Sequence, residues 1–346
     1  MQKLKPLAIK EFGMVSSLGV GAELNASAMR CGYDGFESAD RVFLDKTGLT
    51  VAPAPLSMEI RGKSRLREMA KLAVEDLLFH VDDVNEVTLC VCMSHLLRDG
   101  VTARQDVFDS ITQGVLSGAA EIIVRKKYGF SGGRTSFGVA LQKTQELLYT
   151  QQTKAVLIVA VDSLLSPTSI RHYLNGNTNR LLTEKNSDGF IPGEAAVAIL
   201  VTKPEYTETT THIRSIGFAK EPVTIENEEE VFKAEGLIQS TFNALAPLNI
   251  DADDTDFRIS SVSGEKYFFT ELTLTHGKTM KKARTEHPLW HPADCIGEVS
   301  AAMGGAMLVM VHYAFMEQYA PGNKALYHLS NDNSERFTFV LEYTNG

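Results

Sequence analysis

Two seven-residue apolar runs, residues 155–161 and 195–201, stand out from the chain around them. Each is too short for a free-standing helix and rich in Val and Ile, which predicts strands buried on both faces in the middle of a sheet. Between them, Asn186-Ser187-Asp188-Gly189 and Pro192-Gly193 carry turn chemistry: glycine takes positive φ without strain and proline fixes its own φ. Patterns of helical period predict helices over residues 23–31, 68–79, 119–128, 138–150, 228–245, 265–284 and 298–319. Further apolar runs predict strands over 7–15, 86–93, 213–218, 256–262, 325–329 and 337–343. Buried strands alternating with helices imply helix-covered sheets, an α/β fold.

Composition narrows the function classes. A chain of 346 residues that is 44% apolar and 22% charged has room for two domains or one large duplicated one. Its net charge of −9, with no basic block beyond Arg125-Lys126-Lys127 and Lys281-Lys282, argues against a nucleic-acid surface. The four cysteines, Cys31, Cys90, Cys92 and Cys295, lack zinc-ligand spacing. Cys90 and Cys92 share one face of a predicted strand, so buried thiols and a reducing compartment are expected. No signal-peptide h-region and no run of about 18 apolar residues is present, so the expected location is cytoplasmic, with no membrane span. No Gly-x-Gly-x-x-Gly follows the first strand, which argues against a dinucleotide cofactor. His287, His291 and Cys295 recur at intervals of four, but Pro288 and Pro292 prevent one continuous helix, so neither metal nor other cofactor is expected.

A strand ending in Val161-Asp162-Ser163, followed by Asp188-Gly189-Phe190-Ile191-Pro192-Gly193-Glu194-Ala195 leading into another buried strand, resembles the β-ketoacyl synthases of the thiolase superfamily. The usual Gly-Glu-Gly-Ala of that family reads Gly193-Glu194-Ala195-Ala196 here. A glycine-framed turn from Gly13 to Gly19, a helix and Arg30-Cys31-Gly32 resemble the family's opening. The resemblance covers nearly the whole chain and is greatest to a short bacterial branch that keeps segments like WHPADCIGE and NSDGFIPGEAA but lacks the Cys-His-His triad. It implies a thiolase-like five-layer αβαβα sandwich of two related halves, residues 1–205 and 206–346. It also implies a dimer through the strand from Ala155 to Val161, either a homodimer or a heterodimer with an active ketosynthase. Acyl carrier protein or acyl-CoA is the further partner that it suggests.

Ketoacyl synthases acylate a cysteine at the start of the helix before the central strand, and two histidines hydrogen-bond the thioester oxygen as it becomes an enolate. The resemblance carries the cysteine position onto Arg134, a permanent cation with no nucleophilic lone pair. It carries the two histidine positions onto Ser263 and Glu298, the family's lysine onto Ala293, and its Gly-Phe-Gly-Gly loop onto the segment from Ser330 to Glu335. The implied protein has lost condensing activity and serves as a binding, scaffolding or partner subunit, with Arg134 and Glu298 forming a buried ion pair. The alternative is an acyltransferase or hydrolase acting on acyl-CoA or acyl-carrier thioesters through a displaced nucleophile. Its candidates are Thr135, Ser136, and Cys295 with His291 as base and Asp294 beside it; Glu265 completes the alternative site residues. Against these stand structural readings: helix capping for Thr135 and Ser136, and a buried structural thiol for Cys295.

Overall fold

The structure, a computed structural model, describes residues 5–40, 48–81, 84–94, 103–151, 153–175, 179–205, 209–227, 229–282 and 286–344. Its principal strands are β1 (Leu7–Ser16), β2 (Glu86–Met93), β3 (Ile123–Ser131), β4 (Ala155–Ser163), β5 (Glu194–Thr202), β6 (Thr210–Lys220), β7 (Phe257–Ser260), β8 (Leu289–Trp290), β9 (Lys324–Ser330) and β10 (Glu335–Thr344). The helices are α1 (Ala22–Arg30), α2 (Gly62–Phe79), α3 (Arg104–Gly118), α4 (Ser136–Thr150), α5 (Pro167–Asn175), α6 (Glu235–Leu245), α7 (Lys266–Thr279) and α8 (Met303–Met316), with a single further turn at Ala293–Ile296.

The strands follow one hydrogen-bonded path, β8-β7-β9-β10-β6-β1-β5-β4-β2-β3. From β1 outward, β5 and β4 pair antiparallel, then β2 and β3 run parallel to β4. From β6 outward, β10 and β9 pair antiparallel, then β7 and β8 run parallel to β9. The same order therefore occurs twice, and the halves join where Leu7 and Ala8 of β1 pair antiparallel with Ile213 and His212 of β6. The expected division between residues 205 and 206 falls at residues 206–208, outside the described ones.

Side chains alternate across each strand, and the two faces feed different layers. Val156, Ile158 and Ala160 of β4 and Phe337 and Phe339 of β10 pack with Phe137 and Leu141 of α4 and Met303 and Met307 of α8. That cluster is the middle of the molecule. On the other face of the first half, Leu157, Val159 and Leu200 meet α2 and α3 through Met69, Ala73, Leu77 and Ile111. In the second half Leu326 and Val340 meet Ala244 and Leu245 of α6, and Leu237 of α6 packs with Phe268 and Leu272 of α7. The result is a thiolase-like five-layer αβαβα sandwich of two related halves. Each fully buried large aliphatic or aromatic side chain contributes roughly 1.5–3 kcal/mol.

Two glycines repeat the symmetry at residue level. A Cβ at Gly13 of β1 would overlap the Ala73 carbonyl oxygen of α2 and stand 2.5 Å from the Leu77 nitrogen. At Gly217 of β6 it would overlap the Ser240 carbonyl oxygen of α6 and stand 2.5 Å from the Ala244 nitrogen. Both helices press their backbones onto the strand that opens their half.

Several expectations are corrected. Where a helix was expected over 119–128, residues 119–122 form a turn and residues 123–128 belong to the strand β3. Its outer edge carries Arg125, Lys126 and Lys127, and those exposed polar residues hide the period of two. Helix α3 was not expected, although Val107, Ile111 and Val115 mark its buried face at intervals of four. The helix expected over 228–245 begins at Glu235, after Ala234 takes a left-handed φ of 58°, and that expected over 265–284 ends at Thr279. The long helix expected over 298–319 is a 3-10 turn, Ser300–Ala302, followed by α8. The strand from Ala155 to Val161 is not a dimer seam: β4 lies between β5 and β2, so both its edges already carry hydrogen-bonded neighbours.

The close approach of strand and helix gives a direct expectation. Gly13→Ala and Gly217→Ala should each cost about 1–3 kcal/mol or more through overpacking, read as a lower urea midpoint. Gly277→Ala in α7, where an added Cβ meets nothing within 4 Å, should hold or raise the midpoint, since alanine favours a helix over glycine. Equal midpoints for all three would show that the helices can back away.

Candidate functional site

Two glycine-bearing segments build the site by docking backbone to backbone. The Glu298 nitrogen donates to the Ile191 carbonyl at 2.7 Å, and the Gly193 nitrogen donates to the Glu298 carbonyl at 2.9 Å. A Cβ at Gly297 would sit 2.6 Å from the Ile191 oxygen, and one at Gly193 would collide with the Ile296 oxygen. Gly297 also adopts a φ of 69°, which suits glycine. The turn chemistry of residues 188–194 and the Cys295-Ile296-Gly297-Glu298 segment are thus two sides of one contact, and they aim Glu298 at the start of α4.

There the 3-10 turn Gly133–Thr135 carries Arg134. The Arg134 Nη1 lies 2.7 Å from the Glu298 Oε2, with both side chains buried, so the expected ion pair is formed. The Arg134 Nη2 meets the Asp332 Oδ1 at 2.5 Å, and the guanidinium carbon lies 4.7 Å above the Phe268 ring. A second arginine joins them. The Arg180 Nε and Nη2 donate to the two oxygens of Glu265 at 2.6 and 2.8 Å, and its Nη1 lies 2.9 Å from the Asp332 Oδ2. Two guanidiniums and three carboxylates are therefore gathered at one place.

Burial works against the charge of Arg134, but Glu298 and Asp332 outweigh it and raise its pKa above the ordinary value. Arg180 is likewise opposed by burial and raised by Glu265 and Asp332. Burial pushes the Glu265 carboxyl up, against the lowering effect of Arg180. A cavity of about 10 Å³ remains beside the cluster, bordered by Tyr173, Leu164, Phe190 and Ser300, room for about one water.

The other candidates fall into separate places. Ser263 is buried beside Glu265, and its Oγ has no hydrogen-bond partner among the described residues. Thr135 is fully buried; its Oγ1 donates to the Glu335 Oε2 at 2.6 Å and accepts from the Asn331 Nδ2 at 2.9 Å. The Ser136 Oγ donates to the Gly133 carbonyl at 2.6 Å. Neither hydroxyl accepts a backbone N–H at the start of α4, so the capping reading is corrected for both. Cys295 is buried in the turn Ala293–Ile296, and burial, then the charges of Asp294 and Asp34, push its thiol up to about 11. The His291 Nδ1 stands 3.2 Å from the Asp294 Oδ1, which is largely exposed. A thiol so far above neutral pH is protonated and a poor nucleophile.

Three residues of this region were missed in the sequence. Arg180 lies in an irregular segment; Tyr173 lies on α5, a helix not expected although Ile170, Tyr173 and Leu174 pack into one cluster; and Asp332 lies in the segment that the resemblance set in place of the family's Gly-Phe-Gly-Gly loop, with nothing to single it out among the polar residues there. Cys92 is the thiol under the start of α4: its Sγ lies 3.5 Å from the Ser136 carbonyl, and complete burial raises its pKa well above that of a free thiol.

No protein-family model and no curated protein matches the sequence. Solved structures match the fold. The ketosynthase from module 6 of the bacillaene synthase of Bacillus subtilis 168 superimposes with a TM-score of 0.77 at 12% identity over 99% of this chain and 72% of its own. A chain from a type II polyketide synthase acyl-carrier protein in complex with its ketosynthase bound to the hexaketide gives 0.79 at 12%, over 99% and 100%. The ishigamide ketosynthase/chain length factor gives 0.70 at 16%, over 97% and 99%. The chain thus has the α/β fold of ketosynthases and chain length factors.

Arg134→Ala should leave Glu298 and Asp332 short of a buried partner and destabilise the protein by about 3–5 kcal/mol, measured by calorimetric unfolding. A variant that melts with the wild type would show that water already compensates these carboxylates.

Proposed function

We propose that this protein is a ketosynthase-like chain without condensing activity that acts as a binding or partner subunit. The observation that carries the reading is the Arg134–Glu298 contact at 2.7 Å. By the sequence resemblance these residues stand where condensing enzymes hold the nucleophilic cysteine and one oxyanion-stabilising histidine, and Ser263 stands for the other histidine. A guanidinium cannot form a thioester, and a carboxylate beside a developing enolate would oppose its charge. The raised pKa values of Cys92 and Cys295 supply no alternative thiolate.

A second reading, an acyltransferase or hydrolase with a displaced hydroxyl, draws on one contact. The Thr135 Oγ1 donates to the Glu335 Oε2 at 2.6 Å, a hydroxyl beside a potential base. Incubation with labelled acyl-CoA and acyl carrier protein, followed by intact-mass measurement, separates the two. The first reading expects no mass increase; an acyl group mapped to the peptide containing Thr135 or Ser136 would overturn it.

For the partner, the support is the edge of the sheet. β3 pairs only with β2 among the described residues, so its outer row of backbone groups is open to strand addition. Self-pairing of β3 in antiparallel register about its midpoint would set Lys127 against its own copy, an unfavourable like-charge pair. A strand bearing acidic residues fits this edge better than a second copy does. Ketosynthases that pair with a chain length factor or carry an acyl-carrier protein are among the structural neighbours, and the partner proposed here is of that kind. Lys127→Thr should then tighten self-association of the purified chain in sedimentation equilibrium. A dimer insensitive to this substitution and to salt would put the interface elsewhere.

A further inference from the structure

We infer that Arg134 and Arg180 form a receptor for a small carboxylate, and that Asp332 is the chain's own occupant of it. The inference rests on the non-condensing reading, since it makes the nucleophile's place an anion receptor. The three carboxylates of the cluster are not equivalent. Glu265 belongs to Arg180 through a two-point contact, and Glu298 belongs to Arg134 while its Oε1 accepts the Ser300 nitrogen at 2.7 Å. Asp332 alone is shared, with Oδ1 2.5 Å from the Arg134 Nη2 and 3.0 Å from the Arg180 Nη2. It is also the exposed member: its side chain is 21% accessible, against 4% for each glutamate.

The turn that carries Asp332 is anchored without it. The Arg336 Nη1 donates to the carbonyls of Asn331 and Asn333 at 2.9 and 2.7 Å, and the Asn331 Nδ2 donates to the Thr135 Oγ1 at 2.9 Å. The carboxylate can therefore rotate out while the turn stays in place. Its departure leaves two cations and two anions, with guanidinium N–H groups from both arginines facing the vacated space. That space is one carboxymethyl group plus the adjoining cavity of about 10 Å³, and Leu164, Phe190 and Tyr173 form its apolar border. A planar carboxylate suits two guanidinium forks, and the volume suits an acid of two or three carbons. With Asp332 seated, the cluster carries one net negative charge and turns external anions away.

The test uses the full chain, with propionate as the probe and propionamide as its neutral isostere. Asp332→Ala should show a saturable rise in Tm with propionate, about 2 °C at a tenfold excess over Kd, and none with propionamide. Wild type should show no such rise, and adding Arg180→Gln to the variant should abolish it. Asp332→Ser, which likewise empties the space, should show the same selectivity and carries the test if the alanine variant does not fold. A folded Asp332 variant without propionate-specific stabilisation overturns the inference, as does an equal shift in wild type. Either failure leaves the expected absence of an acyl adduct standing, whereas an adduct defeats the non-condensing reading whatever propionate does.

Discussion

A charge taken out of water has to meet an opposite charge and enough hydrogen-bond donors to replace its hydration, and this protein buries such charges at several points. Arg65 of α2 reaches Glu194, the first residue of β5, at 2.5 Å; Glu194 also accepts from the Ala54 nitrogen and the Ser163 hydroxyl. Arg336 of β10 meets Glu271 of α7 at 2.6 Å, and Glu271 accepts from the Ser330 hydroxyl at 2.5 Å. The cluster of Arg134, Arg180, Glu265, Glu298 and Asp332 is the largest described. Each of these systems joins segments far apart in the chain. Apolar burial supplies most of the stability, while the ion pairs demand a particular arrangement, because removing one member strands the rest.

That requirement bears on chemistry. Nucleophilic thiols depend on a positive, partly solvated setting that lowers the pKa. Here the positive charge at the start of α4 is covalently part of the turn, held by Glu298 and Asp332 through Nη1 and Nη2, and the thiols of Cys92 and Cys295 are driven the other way by burial. On the reading proposed above, a site so compensated lacks the unencumbered nucleophile that attack on a thioester needs.

The repeated strand order explains where such a site forms. α4 and α8 occupy equivalent places in the two halves, and both begin in the central layer, with Phe137 of one against Gly304 of the other. The start of α4 therefore faces the segment that leads into α8, which brings Arg134 within reach of Glu298 across 164 residues of chain. Gly13 and Gly217 do the equivalent work on the outer faces by letting α2 and α6 lie close on β1 and β6. Symmetry in the frame and asymmetry in the side chains coexist without conflict, since backbone packing sets the first and a few polar residues the second.

Much of the frame was legible because it is written in local pattern. The strands β4 and β5 with their seven-residue apolar runs, the helix α2 with its stripe of Met69, Ala73 and Leu77, and the turn residues from Asp188 to Gly193 each follow from sequence spacing and backbone chemistry. The opposed charges of Arg134 and Glu298 were legible too, through the resemblance that set both at one site. What local pattern misrepresented was β3, whose exposed Arg125-Lys126-Lys127 reflects its place at the sheet's edge, a property of no single segment. The roles of Arg180 and Asp332 likewise came only from tertiary structure: a polar residue in an irregular stretch has no periodicity to report its neighbours. Period and turn chemistry act over a few residues and are encoded there, whereas the compensation of a buried charge depends on which distant groups the completed fold sets within hydrogen-bond reach.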